Sequence, residues 1–596
     1  MIFSISSITA ESVNDTDAYC LNDDYAVLEV NNDSEVLSDG VSSIYVDDAM
    51  GDDANDGLST QSSVKSLSRA LELAKENDTI YISDGNYNGL DNTKITISKS
   101  VSLIGSQDTT IDASANNFIF NITDNVKITF KNIKFINAYK KSSYWENANM
   151  YGGALEINHA TVLIEDCSFI DNIVSYESSI NKFNYGGAIS NLGDLTILNS
   201  YFDSNIATST SGMFSYGGAI YNKGKLRINS TVFNNSKTWD FGYGGAIYND
   251  GDMLINNSVF ANSYSLQESK GAAIYNAGNC TLLNSIVENN TISKASFYYI
   301  YGTIYNVGAL NGVGNIFRNN SGIYQAPNPE YRGSPTIYNV GALNLTYNVF
   351  IDNAPFNGIG SDVYFNGGKV ISLDNNWWGT NDNPYNSNKI NVNEKVETWL
   401  IFNLNPEYTP LDIGQSVNIN ASWSTNSPLP LNIGLLPVLD VIFNTQVNNQ
   451  LIAETIPLND GFAIFNFDYT QNKGSYEVTA RIGNFTQKVL VDVGKIITNL
   501  DYNVTDNILY TEDLVLNVSV TTNDGKTAKG IVSVIIDGVT YVINLTDAKG
   551  TLTIPNLAPK TYNLKIVYEG NDDYFKSFKY ANVTVKKAPT QLNISV

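Results

Sequence analysis

The chain has 596 residues, with 35 Lys and Arg against 60 Asp and Glu, a formal charge of −25 and one histidine. That balance excludes a nucleic-acid partner, which needs basic patches to displace phosphate counterions. The lone His159 removes Ser-His and Cys-His nucleophile schemes, and Cys20, Cys167 and Cys280 stand too far apart in sequence for a disulfide framework or a zinc site.

Residues 1–10, MIFSISSITA, carry a mildly apolar run from Ile2 to Ile8 and a small-residue end, Ser7 to Ala10. They are expected to be the remnant of a secretory signal peptide, with 11–42 as an N-terminal tail. An extracellular or cell-surface location follows from that reading. No stretch approaches the roughly 18–20 apolar residues of a membrane helix.

Next comes the acidic segment DDAMGDDANDG, Asp47 to Gly57. Asp52, Asp53, Asn55 and Asp56 offer hard oxygen ligands, so calcium is one expectation. Their order departs from the EF-hand pattern, and a solvated turn is the other. No further cofactor is implied. From Ser63 to Asn77, Val64, Leu67, Leu71 and Ala74 recur at helical spacing, which predicts a helix able to cap the open end of a β-structure C-terminal to it.

The long middle of the chain is a repeat. The heptapeptide YGGAIYN occurs at Tyr216–Asn222 and Tyr243–Asn249, with degraded copies on both sides. One apolar ladder runs through Leu155, Ile189, Ile220, Ile247, Ile274, Ile304 and Ile337, and a second through Phe169, Phe202, Phe233, Phe260, Val287, Phe317 and Phe350. The interval between the two is 13 residues in every copy except the first, where it is 14; from the second ladder to the next copy it varies from 14 to 20. A fixed segment alternating with a variable one is a solenoid with loops at one corner.

Within the fixed segment apolar residues alternate with period 2 between N-x-G turns, so each coil is built of short strands, three to a coil. The Gly pair suits a sharp corner, and Asn191, Asn222, Asn249, Asn276, Asn306 and Asn339 are expected to stack amide on amide. Cys280 takes the ladder position of Leu226 and Met253, so it is expected to be a buried hydrophobe. The expected fold is all-β: a right-handed single-stranded parallel β-helix of the pectate-lyase-like kind over 43–405, its hand set by the chirality of parallel crossovers.

The run NNWWGTNDNP, Asn375 to Pro384, places Trp377 and Trp378 by the last coil, either to close the core or to form a sugar-stacking platform; a final strand is expected at Val396–Leu404. Beyond it, longer alternating strands at roughly ten-residue spacing predict Ig-like β-sandwich modules over 406–493 and 494–585. Residues 586–596 echo Lys495–Leu500 and are expected to begin a further module.

The GGAI and FxxN pair (FIDN at Phe169 and Phe350, FDSN at Phe202, FRNN at Phe317) resembles the repeat of chlamydial polymorphic outer-membrane proteins. The YVDD…NDG segment, capping helix, YGGAIYN coils, NNWWG closure and tandem Ig-like modules together resemble the adhesin-like surface proteins of methanogenic archaea. The likeness covers nearly all of the chain after Val41, and what it implies is attachment at a cell surface.

The variable corner agrees with that implication. Its inserts carry Tyr144, Trp145, Trp239, Phe241, Tyr298, Tyr299, Tyr324 and Tyr331. Tyr and Trp give rigid, amphipathic contact area at low entropic cost, suited to a carbohydrate or a protein on another cell or in the envelope; alternatively the rings only cover the corner. A polysaccharide lyase or hydrolase is a second reading, since β-helices host such enzymes. It needs a base and a metal, or paired carboxylates. Asp171 and Asp203 are one position apart in adjacent coils, yet Asn234 and Ala261 follow and no acidic cluster continues, so no catalytic residue is assigned. A structural envelope role is the third reading. Sequons such as Asn121, Asn256, Asn344, Asn517 and Asn582 would accept glycan if the chain is exported.

Overall fold

The computed structural model describes residues 42–589 except 143–148, 177–182, 210–213, 240, 267–268, 295–300, 325–333, 354–361, 392–395, 429 and 523–524. The signal-remnant segment 1–10, nearly all of the tail 11–42 and most of 586–596 therefore lie outside the described residues.

Alternation within each three- to five-residue segment sends one set of side chains inward, and identical segments stack in register. The result is a parallel β-solenoid with three long sheets. One has 12 strands, from Ser43–Val46 to Lys369–Ser372; one has 11, from Ile95–Ile97 to Ile390–Asn391; and one has 10, from Gly85–Asn88 to Val349–Ile351. All pairings among them are parallel, for example Ile189↔Ile220↔Ile247 and Phe202↔Phe233↔Phe260. The Phe rings from Phe169 to Phe260 lie 4.7–4.8 Å apart between neighbours, with planes within 14°.

The expectation of three strands per coil is corrected in the middle coils, which have five. Two shorter sheets flank the variable corner, one of seven strands from Tyr139–Ser142 to Ser321–Tyr324 and one of four from Met150–Tyr151 to Gly242–Tyr243. A chain that leaves and re-enters a stacked corner still has to satisfy its backbone groups, and pairing with the coils on either side does so.

The Asn positions stack as expected. Nδ2 of Asn191, Asn222, Asn249, Asn276 and Asn306 each donates to Oδ1 of the next residue in the ladder at 2.6–2.8 Å, and all are fully buried. Two more ladders of the same kind run through Asn290, Asn320 and Asn353 and through Asn315, Asn348 and Asn376. The Gly pair has two separate causes. Gly217 has φ +69°, whereas a Cβ on Gly218 would stand 2.0 Å from the carbonyl oxygen of Gly245 in the next coil. Cys280 is buried between Met253 and Leu310, and burial pushes its thiol and that of Cys167 up to about 12.

The capping helix is shorter than its periodicity predicts. It spans Leu67–Leu73, with the Ser66 side chain capping the N–H of Arg69 and Leu67 and Ala70 buried. Val64 instead bridges to Val46, and Ala74 is already extended.

At the other end the sandwich begins earlier than expected. Leu400–Pro406 pairs antiparallel with Val417–Thr425, so it belongs to the first module and not to a last coil over Val396–Leu404. The chain passes straight from a bridge between Asn376 and Trp399 into that strand. The module packs a three-stranded sheet on a four-stranded one, with Phe443 stacked on Phe465 at 5.3 Å. Its core continues into the solenoid through Ile316, Val349, Ile351 and Trp377. The second module, a three-stranded and a five-stranded sheet, has a core of its own. No helix among the described residues is long and apolar enough to cross a membrane.

Candidate binding edge

The variable corner lies between the seven-stranded sheet and the repeat's Gly pair, so every insert leaves and returns along one edge. Among the eight aromatic residues predicted there, Trp239 is 45% exposed, just after the strand Lys237–Thr238. Phe241, half-buried with φ +51°, meets the ring of Phe214 edge-on at 5.9 Å. Tyr324 ends the strand Ser321–Tyr324, where it pairs with Lys294. Tyr144, Trp145, Tyr298, Tyr299 and Tyr331 lie outside the described residues.

The repeat itself adds what residue-by-residue reading misses. The first Tyr of each YGG stacks on its counterpart in the next coil: Tyr151, Tyr185, Tyr216 and Tyr243 lie 4.8, 5.1 and 5.2 Å apart with planes within 12°. The Tyr of IYN forms a second ladder through Tyr221, Tyr248, Tyr275, Tyr305 and Tyr338, continued by Tyr364 of VYF, with steps of 4.8–5.3 Å. The ladders touch edge to face, as between Tyr216 and Tyr248 at 4.9 Å. The recurrence of Tyr at two fixed places in the heptapeptide is the signal for them.

Stacking of this kind occupies the ring faces and leaves the phenol tips outward. The hydroxyls of Tyr185, Tyr216, Tyr221, Tyr243, Tyr248, Tyr275 and Tyr305 make no hydrogen bond within the described residues and none is fully sealed, although Tyr221 and Tyr305 are buried as whole residues. Burial of the rings pushes the phenols of Tyr216, Tyr221 and Tyr305 up to about 12. The edge therefore presents two lines of neutral hydroxyls at the pitch of the coils, and the exposed Trp239 follows the strand Lys237–Thr238 at the same corner. Such a surface can hydrogen-bond and stack on a long polar ligand.

The carboxylates are mostly engaged elsewhere. Asp203 accepts from Asn234 at 2.8 Å, Glu288 pairs with Arg318 at 2.5 Å and Asp352 accepts the backbone N–H of Asn484 at 3.1 Å. Asp171 does sense Asp203: burial first, then that charge, raises its carboxyl above the usual range. His159 is exposed and 3.2 Å from Asp124. Both tryptophans of the NNWWG run are fully buried, so the sugar-platform expectation gives way to closure of the core.

The four predicted calcium ligands are not brought together. Asp53 accepts the N–H groups of Lys65 and Ser66 at 2.8 Å, and Asp56 accepts from Leu58 at 3.1 Å and from Ser62 Oγ at 2.7 Å. Asp52 accepts from Ala54, and Asn55 donates to the Ser63 carbonyl. Asp52 ties its own turn, whereas Asp53, Asn55 and Asp56 tie the acidic segment to the residues leading into the helix, and among the described residues no group of three or more His, Cys, Asp or Glu is placed to hold a metal ion.

No family model matches the chain, and no curated protein does. Among solved structures, the pectate lyase Pel9A is similar at 14% identity and a TM-score of 0.30, over 55% of this chain and 79% of that one. Salmonella alpha-2-macroglobulin matches at 11% identity and a TM-score of 0.17, over 32% of this chain and 15% of its own. Domains 1–6 of the surface-layer protein SbsC match at 13% identity and a TM-score of 0.13, over 33% of this chain and 28% of that one. The chain thus spans about 15% of the macroglobulin it resembles.

Proposed function

We propose that this is an adhesin-like protein, secreted or displayed at a cell surface, that attaches to glycans or to other cells through the variable edge of its β-solenoid. The sandwich modules set that edge away from the point of anchorage. The observation that carries the reading is the pair of stacked tyrosine ladders along the variable corner, a corner that also carries the exposed Trp239. Tyr and Trp held rigid by neighbours bind with little further loss of conformational entropy.

The test is retention of the full chain on glycan arrays and on cells, beside the Trp239→Ala variant. Retention that falls at least about tenfold in the variant, the scale of a lost aromatic anchor, supports the reading; retention indifferent to Trp239 removes the edge from it.

A polysaccharide lyase or hydrolase is the second reading, favoured by the proximity of Asp171 to Asp203. Release of reducing ends or unsaturated sugars by the wild type, lost in Asp171→Asn, would make it the first.

A further inference from the structure

The first tyrosine ladder is broken at one rung. Where its neighbours read Tyr-Gly-Gly or Tyr-Gly-Thr, the coil at 270 reads Lys-Gly-Ala, and Lys270 bridges to Tyr243 as a tyrosine would. Its ammonium lies 5.5 Å from the ring centre of Tyr243, 5.8 Å from that of Tyr301 and 5.2 Å from that of Tyr305.

A cation among ring faces is held electrostatically, but the rings offer no acceptor for its N–H groups along the open side. Several other bases of the solenoid have acids, as Lys131 has Glu165, Lys134 has Asp108, Lys140 has Glu156, Arg227 has Asp194 and Arg318 has Glu288; among the described residues the exposed Lys223 and Lys225 lack one too, but neither is held among rings as Lys270 is. Among the described residues Lys270 has no carboxylate within ion-pair distance and no hydrogen-bond acceptor; burial alone acts on it, and pulls its ammonium below the ordinary lysine value. In a chain with 60 acidic side chains, a half-buried cation with no acid among the described residues leaves room for an anion from outside.

The ammonium lies over Tyr243 and Tyr305, the ring of Tyr275 touches both, and none of the three phenol oxygens is fully sealed, so each can donate an O–H to the same anion. We propose that Lys270, with the hydroxyls of Tyr243, Tyr275 and Tyr305, forms a subsite for the carboxylate of an acidic glycan. This deepens the attachment reading and rests on it: the ladders carry the polymer's hydroxyls, and the lysine selects the charged sugar. Because the rung is single, one acidic residue is read per protein chain.

The test compares binding of the full chain to a polyglucuronate, to the same polymer with its carboxyls reduced, and to a sulfated glucan. A salt concentration of about 0.15 M keeps the screening length near 8 Å, so the protein's overall negative charge does not mask a contact pair. The wild type is expected to prefer the polyglucuronate over its reduced form by about tenfold, the scale of one desolvated charge pair. Lys270→Tyr, which completes the ladder and so preserves its packing, should bind both polymers alike, and Lys270→Gln should do the same. Lys270→Arg should keep the preference.

A preference that survives in both neutral variants overturns the inference. Equal binding of the sulfated glucan, lost with it in Lys270→Tyr, overturns the carboxylate assignment. Wild-type attachment to neutral glycans or cells without an acid preference overturns this inference and leaves the attachment reading standing. Attachment to nothing in the array overturns both.

Discussion

Trp378 lies on Phe350 with ring centres 4.7 Å apart and planes within 11°, so it continues the phenylalanine ladder by one rung beyond the last Phe. Its neighbour Trp377 turns the opposite way, to Trp423 at 5.5 Å and Phe485 at 5.4 Å in the first sandwich. Two adjacent residues thus close one core and root another, and the end of the solenoid is covered by a folded module rather than left as a free edge.

Trp377→Ala is therefore expected to cost about 3–5 kcal/mol, the range for emptying a large aromatic site, and to act on both bodies. Hydrogen exchange should rise in Val349–Ile351 of the solenoid and in Val417–Thr425 of the sandwich, while Thr561–Tyr568 of the second module, whose core is separate, stays protected. Faster exchange on one side only would mean that the two cores are not coupled through this ring.

The Asn249 side chain donates to Asn276 Oδ1 and to the carbonyls of Gly251 and Asn279, and accepts from Asn222. Asn249→Ala leaves several buried groups unpaired, at about 1–3 kcal/mol for each one not recovered by rearrangement. Asn339, the last rung, accepts from Asn306 and donates to Gly341, so Asn339→Ala should lower the denaturation midpoint less. Equal losses at the two positions would count against a ladder in which each rung supports the next.

These ladders are legible in sequence because the repeat supplies the register that a single strand lacks: Ile220 and Ile247, or Asn222 and Asn249, recur at the same place in each heptapeptide, and stacking is the arrangement that satisfies all copies. The candidate edge is less so. Tyr216 and Tyr221 belong to the same heptapeptide and read as scaffold, yet they stack into two ladders along the corner; period alone does not say which end of an amphipathic ring is wet. The strand Leu400–Pro406 is misplaced by sequence for a different reason. Alternation marks it as a strand but is blind to its partner, and only the antiparallel pairing with Val417–Thr425 assigns it to the sandwich. The sequence offers the oxygens of Asp52, Asp53 and Asp56 as cation ligands but does not show the backbone N–H groups that each of them also accepts.

Glycine substitutions separate close approach from backbone strain. A Cβ on Gly245 would stand 1.9 Å from the carbonyl oxygen of Ala272, so Gly245→Ala must push two coils apart. Gly89 has φ +80° but nothing within 4 Å of its would-be Cβ, so Gly89→Ala bears only the left-handed penalty, about 1–2 kcal/mol. The Gly245 variant should lose more than about 4 kcal/mol, and protease should nick it within the flanking coils. A Gly245→Ala protein as stable as Gly89→Ala would contradict the coil spacing.

The tyrosine ladders set an alkaline limit. The phenols of Tyr216, Tyr221 and Tyr305 are held at about 12 in the folded chain, against 10.0 ordinarily, because burial disfavours the phenolate. The folded value is the higher one, so these groups favour folding fully below pH 10 and lose that contribution as pH rises toward and through 12. Phenolate absorbance should accordingly rise in two steps, with the later one coinciding with loss of β circular dichroism between about pH 10 and 12. In Tyr248→Leu, which removes a ring from the middle of the second ladder, the later step should move to lower pH, since Tyr221 and Tyr275 lose the ring between them. A single absorbance step near pH 10 with the β signal intact would show that the stacked rings are hydrated, and would remove the rigid edge on which the proposed attachment rests.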